Sequence, residues 1–156
     1  MMIRKSAFSI FSAIFSLSAV LMAFSAAAEV VDIDNAELAR LSAAGVPLID
    51  IRTAGEWQES GVVAGSKLIT YVDERGRVDA PAWLVKVQAV ARPDQPVIVI
   101  CRSGNRTRAA SRLLSEQAGY RTVYNVKDGM RAWVQEGRPV TPLASAQAHC
   151  PAGASC

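Results

Sequence analysis

The sequence predicts an α/β fold, with an open parallel sheet of about five strands and helices on both faces. Short apolar segments alternate with amphipathic segments along most of the chain, which is the order typical of a parallel sheet. The segment 97–100 reads VIVI and is bounded by Pro96 and Cys101. Its short length and β-branched residues favour a strand that is buried on both faces.

Each predicted element has a signal of its own. The predicted strands cover 29–33, 46–51, 66–71, 97–100 and 121–126, and the helices cover 35–44, 53–61, 82–91, 105–118 and 129–137. Asp34 is the expected N-cap of the first helix, with Glu37 as its capping-box partner, and Gly45 ends that helix. The helix over 105–118 is expected to direct four apolar residues toward the sheet: Ala109, Ala110, Leu113 and Leu114.

Residues 1–28 have the pattern of a secretory signal peptide. Arg4 and Lys5 precede a long apolar run, and Ala26 and Ala28 form a small-residue cleavage site. We therefore expect residues 29–141 to form one domain that is periplasmic or otherwise exported, and 142–156 to be a disordered tail. The alternative is an uncleaved membrane anchor, and only in that case do we expect contact with a membrane.

The overall charge excludes a basic surface for nucleic acid. The formal net charge is +3, with 17 Lys and Arg against 14 Asp and Glu, and loss of Arg4 and Lys5 would reduce it to +1. A nearly neutral domain lacks the positive potential that DNA or RNA binding requires. The positive charge is instead local, because no acidic residue lies between Cys101 and Ser115.

The three cysteines divide into two groups. Cys150 and Cys156 lie close together in the tail, whereas Cys101 follows the buried strand. In an oxidising compartment the tail cysteines can form a terminal disulfide loop, or they can act as a resolving pair for Cys101, and the sequence leaves both possibilities open.

The loop after the predicted central strand is suited to anion chemistry. Cys101 lies at the carboxyl end of that strand, where open α/β sheets bind ligands, and a helix begins a few residues later. Unpaired amides at a helix N-terminus stabilise anions, and Gly104 allows the loop to curl. Arg102 and Arg106 add positive charge. We expect Cys101 to react as a thiolate with an anionic substrate; the alternative is a small buried apolar residue.

Three motifs resemble the rhodanese family of sulfurtransferases. The loop CRSGNRT resembles the family's active-site loop, and LIDIRTAGEWQESGVVAGS and GYRTVYNVKDGMRAWVQEGRPV resemble the segments on either side. The resemblance covers about residues 30–140 and implies a rhodanese-like fold. Two departures are Val62, where many members have His, and Asp128, where a glycine pair is common; Asp128 is a possible helix cap.

The resemblance also implies residue roles and partners. Cys101 would attack a small anionic sulfur donor such as thiosulfate, and a thiol or cyanide would accept the sulfur from a Cys101 persulfide. The expected substrate-binding residues are Arg52 and the loop residues Arg102, Ser103, Gly104, Asn105, Arg106 and Thr107. Asp50 is expected to support the loop; for both Asp50 and Arg52, structural support and a substrate role remain alternatives.

Other chemistries fit less well. Cys101 and Arg106 are separated by four residues, whereas related phosphatase loops have five, so a phosphatase or arsenate reductase is the weaker alternative. The other alternative is a protein without enzymatic turnover, which either carries a persulfide or binds a partner protein. The one histidine, His149, lies in the tail, so a Cys–His hydrolase would require the tail to fold back. We expect no metal and no cofactor.

Overall fold

The computed structural model describes residues 28–148, so the signal-peptide prediction and the tail cysteines lie outside the described residues. Five strands form one sheet in the order β1-β5-β4-β2-β3, and every neighbouring pair is parallel. The strands are β1 Glu29–Ile33, β2 Leu48–Asp50, β3 Lys67–Leu68, β4 Val97–Ile100 and β5 Thr122–Val126. The predicted α/β fold is confirmed, although β3 is much shorter than the segment 66–71.

The helices alternate with these strands. They are α1 Asn35–Ala43, α2 Ala54–Ser60, α3 Ala80–Val90, α4 Asn105–Arg112, α5 Gly129–Gln135 and α6 Leu143–Ala148. A π-helical turn, Leu113–Gln117, continues α4. No helix among residues 28–148 is long and apolar enough to cross a membrane.

The central strand β4 divides the core into two halves. All four of its side chains are fully buried. Val97 and Val99 pack with residues of α3 and α4, whereas Ile98 and Ile100 pack with residues of α1 and α5. This alternation confirms a strand that is covered by helices on both faces.

Two predictions about helix α1 and helix α4 need correction. Asp34 caps α1 as predicted, since its Oδ1 accepts from the Glu37 N–H at 2.9 Å, but the Glu37 carboxylate is bonded to Arg40 instead of returning to the cap. Ala109 is exposed rather than directed at the sheet. The other three predicted residues, Ala110, Leu113 and Leu114, are buried in the core as predicted. The small polar residues Thr107, Ser111 and Ser115 of α4 and its extension are also buried.

The chain beyond residue 141 is more ordered than the sequence predicts. Val62 and Thr141 exchange two backbone hydrogen bonds, at 2.9 and 2.8 Å, in an antiparallel bridge. Helix α6 follows within the segment predicted to be disordered, and the Pro142 carbonyl accepts from the Ser145 and Ala146 amides. The bridge fixes the start of this segment, and its alanines have high helix propensity, so a short helix forms without an apolar stripe.

Helix α5 contributes a core residue and approaches the loop after β4. Trp133 is 4% exposed, and its Nε1 donates to the Pro139 carbonyl at 2.9 Å, so it belongs to the core. Asp128 occupies the N-cap position, but its side chain makes no capping hydrogen bond.

Two glycines allow the β4–α4 loop to touch the β5–α5 loop. Gly104 has a φ of +85°, and a Cβ there would lie 1.8 Å from the Lys127 carbonyl oxygen. Gly129 has a φ of +63°, and a Cβ there would lie 2.4 Å from the Cys101 carbonyl oxygen. Any side chain at either position would therefore separate the two loops.

We predict that Gly104→Ala destabilises the domain by more than about 2 kcal/mol, since it combines a left-handed backbone with a steric clash. Gly45→Ala is the matched control. Gly45 has the same φ, but a Cβ there would have no neighbouring atom within 4 Å, so only the backbone cost of about 1 kcal/mol is expected. Urea unfolding measures both, and equal losses would contradict the close approach.

Candidate active site

Cys101 lies at the carboxyl end of the central strand and is 1% exposed. Its Sγ accepts a hydrogen bond from the Gly104 N–H at 3.2 Å, and the Thr107 hydroxyl lies 3.8 Å away. The Thr107 Oγ1 donates in turn to the Gly104 carbonyl at 2.9 Å. The loop therefore curls around the sulfur, and one backbone amide is already directed at it.

Helix α5 fixes the same loop through the backbone. The Met130 N–H donates to the Cys101 carbonyl at 2.8 Å, and the Arg131 N–H donates to the Arg102 carbonyl at 3.0 Å. The backbone N–H groups in the first turn of a helix have no hydrogen-bond partner within that helix, and these two contacts supply one. The first two carbonyls of the loop are therefore bonded to α5.

Asp50 and Arg52 form a buried ion pair at the end of the neighbouring strand β2. The Arg52 Nη2 lies 2.6 Å from Asp50 Oδ2, and the two side chains are 1% and 0% exposed. Nη2 also donates to the Gly61 carbonyl at 2.7 Å, and Nη1 donates to Ser60 Oγ at 2.6 Å. Because all three guanidinium nitrogens have protein partners, these contacts favour the supporting role for Arg52.

Arg106 is held by a carboxylate that the sequence did not single out. Its Nη1 and Nη2 donate to the two oxygens of Glu56 at 2.6 and 2.5 Å, which joins α4 to α2. Glu56 also accepts from the Thr53 N–H at 3.0 Å in a capping box. The Thr53–Glu56 spacing identifies the cap in the sequence, but nothing local indicates a partner fifty residues away.

The pair shifts the pKa of both groups. Partial burial of Glu56 opposes its ionisation, but the hydrogen bonds from Arg106 and from the Thr53 N–H, with the charges of Arg106 and Arg52, lower its pKa to about 2. The pKa of Arg106 is raised, mainly by its hydrogen bonds to Glu56 and further by the Cys101 side chain. Arg106 therefore remains a cation beside the sulfur, with its charge matched by Glu56.

A pocket of about 230 Å³ lies between α2, the loop and α5. Its lining residues are Arg52, Glu56, Glu59, Ser60, Arg102, Met130, Arg131, Val134 and Gln135. Of the residues predicted to bind substrate, Arg102 and Arg52 line the pocket, and Gly104 and Thr107 contact the sulfur. Ser103 is half-buried in the loop, and Asn105 is exposed at the first position of α4. Arg131 lines the pocket and was not predicted.

We predict that Glu56→Gln destabilises the domain at neutral pH by about 1–3 kcal/mol, because Arg106 loses a charged partner. The pKa of Glu56 falls from 4.5 to about 2 on folding, so the stabilisation is fully present above pH 4.5 and is lost as the pH falls toward 2. Denaturant unfolding from pH 7 to 2 should show the two proteins converging. Glu37→Gln, which breaks an exposed pair, is the control and should change little. A constant difference across this range would contradict the assignment.

Comparison with known proteins agrees with this geometry. The profile of the rhodanese-like domain family matches residues 34–136. Thiosulfate sulfurtransferase 18 of Arabidopsis thaliana is 32% identical over 118 residues, which cover 73% of this chain and 85% of that protein. The mitochondrial protein High Arsenic Content 1 of the same plant is 36% identical over 91 residues, covering 57% of this chain and 53% of the relative.

Solved structures show the same fold. A rhodanese-related protein from Thermoplasma volcanium is 27% identical and superposes with a TM-score of 0.53, covering 71% of this chain and 97% of that structure. The profile match covers well over half of the chain and includes the Cys101 loop and the Glu56 helix. This chain belongs to the rhodanese-like family.

Proposed function

We propose that this protein is a sulfurtransferase that moves sulfane sulfur from thiosulfate, or a related anionic donor, to a thiol or cyanide acceptor. The observation that carries the proposal is the environment of Cys101, whose Sγ ends the central strand and accepts from the Gly104 N–H. The similarity to thiosulfate sulfurtransferase 18 supports it.

In the first half-reaction, the Cys101 thiolate attacks the outer sulfur of thiosulfate. The Cys–S bond to that sulfur forms as the S–S bond of thiosulfate breaks, and the electron pair leaves with sulfite. The enzyme then holds a persulfide anion. Its outer sulfur would occupy the space beside the Gly104 amide, where backbone N–H groups of residues 102–107 are available to stabilise it.

In the second half-reaction, the acceptor attacks the outer sulfur of the persulfide. The bond between the two sulfurs breaks, and its electron pair returns to Cys101 Sγ, which regenerates the thiolate. Cyanide gives thiocyanate, and a thiolate gives a new persulfide. No net oxidation or reduction of the protein occurs over the cycle.

The charged residues divide into supporting and binding groups. The pairs Asp50–Arg52 and Glu56–Arg106 hold the end of β2 and the start of α4 in place around the sulfur. Arg102 is exposed at the pocket and makes no ion pair among residues 28–148, so it is the loop residue suited to bind an anionic donor. Arg106 acts through its position beside Cys101.

We predict that thiosulfate adds one sulfur atom to the intact protein, that Cys101→Ser abolishes this gain, and that cyanide removes it. Intact-mass spectrometry measures each step, and repeated thiocyanate formation separates an enzyme from a carrier that loads only once. No gain of sulfur by a protein with a free Cys101 thiol would overturn the proposal.

A second candidate is arsenate reduction, the weaker alternative from the sequence, and the relative named High Arsenic Content 1 makes arsenate the oxyanion to test. The Cys101 loop would then have to hold a tetrahedral oxyanion, although it has four residues between Cys101 and Arg106 where related phosphatase loops have five. Arsenate consumption by a thiol-supplied protein that forms no persulfide would support this candidate over the sulfurtransferase.

We also propose that the protein is exported, on the basis of the segment 1–28. When the full chain is expressed in a bacterium, we predict a mature protein that begins at Glu29 and is recovered in the periplasmic fraction. N-terminal sequencing and fractionation measure this. An uncleaved chain in the membrane fraction would instead support an anchor.

A further inference from the structure

Four arginine side chains surround the pocket and the Cys101 loop, but two of them are neutralised. Arg52 is paired with Asp50 and Arg106 with Glu56, each at 2.6 Å or less. Arg102 and Arg131 make no ion pair with any residue from 28 to 148. The available positive charge at the pocket therefore comes from these two side chains.

Arg102 and Arg131 are held next to each other by the backbone. The Arg131 N–H donates to the Arg102 carbonyl at 3.0 Å, so the two residues cannot move apart without breaking the contact between α5 and the loop. Both side chains line the same pocket, and the unpaired acid among its lining residues is Glu59. With the two ion pairs counted as neutral, the pocket has a net charge of +1.

The wall of the pocket that carries Arg131 is also apolar. Met130 and Val134 line the pocket along α5; Val134 is 48% exposed, whereas Met130 is 2% exposed and forms the base of this wall. The volume of the pocket is about 230 Å³. An inorganic oxyanion would use the positive charge but leave this wall in contact with water. An organic anion would use both.

We propose that this pocket binds the sulfur acceptor, that the acceptor is a small organic thiol bearing a carboxylate, and that Arg131 is its specificity-determining residue. This inference rests on the proposed function. The carboxylate would lie against Arg131 and Arg102, the carbon chain against Met130 and Val134, and the sulfur toward Cys101. The inorganic donor has no carbon chain and does not require the apolar wall.

The chemistry of this step balances without a further reagent. The acceptor thiolate attacks the outer sulfur of the Cys101 persulfide and forms a new S–S bond. The bond between that sulfur and Sγ breaks, and its electron pair stays on Sγ. The products are the Cys101 thiolate and the persulfide of the organic acid. Arg131 orients the acceptor and takes no part in bond changes.

The test uses the full domain loaded with sulfur from thiosulfate. Discharge rates are measured by mass spectrometry with 3-mercaptopropionate, 2-mercaptoethanol and cyanide. Comparing each variant with the wild type for one acceptor at a time cancels the intrinsic reactivity of that acceptor. We expect Arg131→Gln to slow discharge to 3-mercaptopropionate about three- to tenfold and to leave 2-mercaptoethanol and cyanide within twofold. Arg131→Lys should restore part of the loss, because it keeps the charge without the fork.

Arg108→Gln is the matched control. Arg108 is an exposed arginine of α4 that does not line the pocket, so its loss changes the net charge equally without changing the site. An equal effect of both substitutions would show long-range attraction only and would overturn the proposal. Equal slowing by Arg131→Gln of all three acceptors, or of none, would also overturn it. Failure of the wild type to load sulfur would instead overturn the proposed function.

Discussion

The burial of β4 on both faces is the constraint on which the rest of the site depends. The four fully buried residues 97–100 fix the strand at the centre of the sheet. Because an unpaired polar side chain is costly inside the core, polar residues can follow only where the strand leaves it. Cys101 is the first residue after that point. Because β2 and β5 flank β4 in parallel, their following residues arrive at the same edge, which brings Arg52 and the start of α5 to the sulfur.

The arginines around Cys101 form two groups, those paired with a carboxylate and those left to attract an anion. A sulfur anion and an anionic substrate repel each other, so the site needs positive charge, yet fully buried cations without partners are costly. The molecule meets both demands by pairing the arginines that are buried or half-buried with Asp50 and Glu56. The exposed arginines at the pocket stay without acidic partners within residues 28–148, where solvent reduces the cost of their charge.

The sequence predicted the fold and the position of Cys101 because both depend on local pattern. The VIVI segment, the helix caps and the glycines each act over a few residues. The ion pair between Glu56 and Arg106 could not be predicted in this way, since its partners are fifty positions apart and meet only through sheet order. Arg131 was missed because a charged residue on a short helix gives no sign of which loop it faces.

Ala109 was expected to face the core because it is apolar, but Thr107 and Ser111 are small enough to be buried there instead. The bridge to Val62 supplies the tertiary contact that the short helix after residue 141 needs, and periodicity does not report such a contact.

The attachment of α5 to the Cys101 loop uses backbone groups on both sides. Met130 and Arg131 donate through their amides, which every residue except proline possesses, and the acceptors are carbonyls. The exposed Arg131 side chain can therefore change during evolution while the geometry around the sulfur is kept, whereas the Met130 side chain is buried in the core. A family built in this way can acquire new partners by substitution on one short helix, with its chemistry conserved and its recognition surface free to diverge.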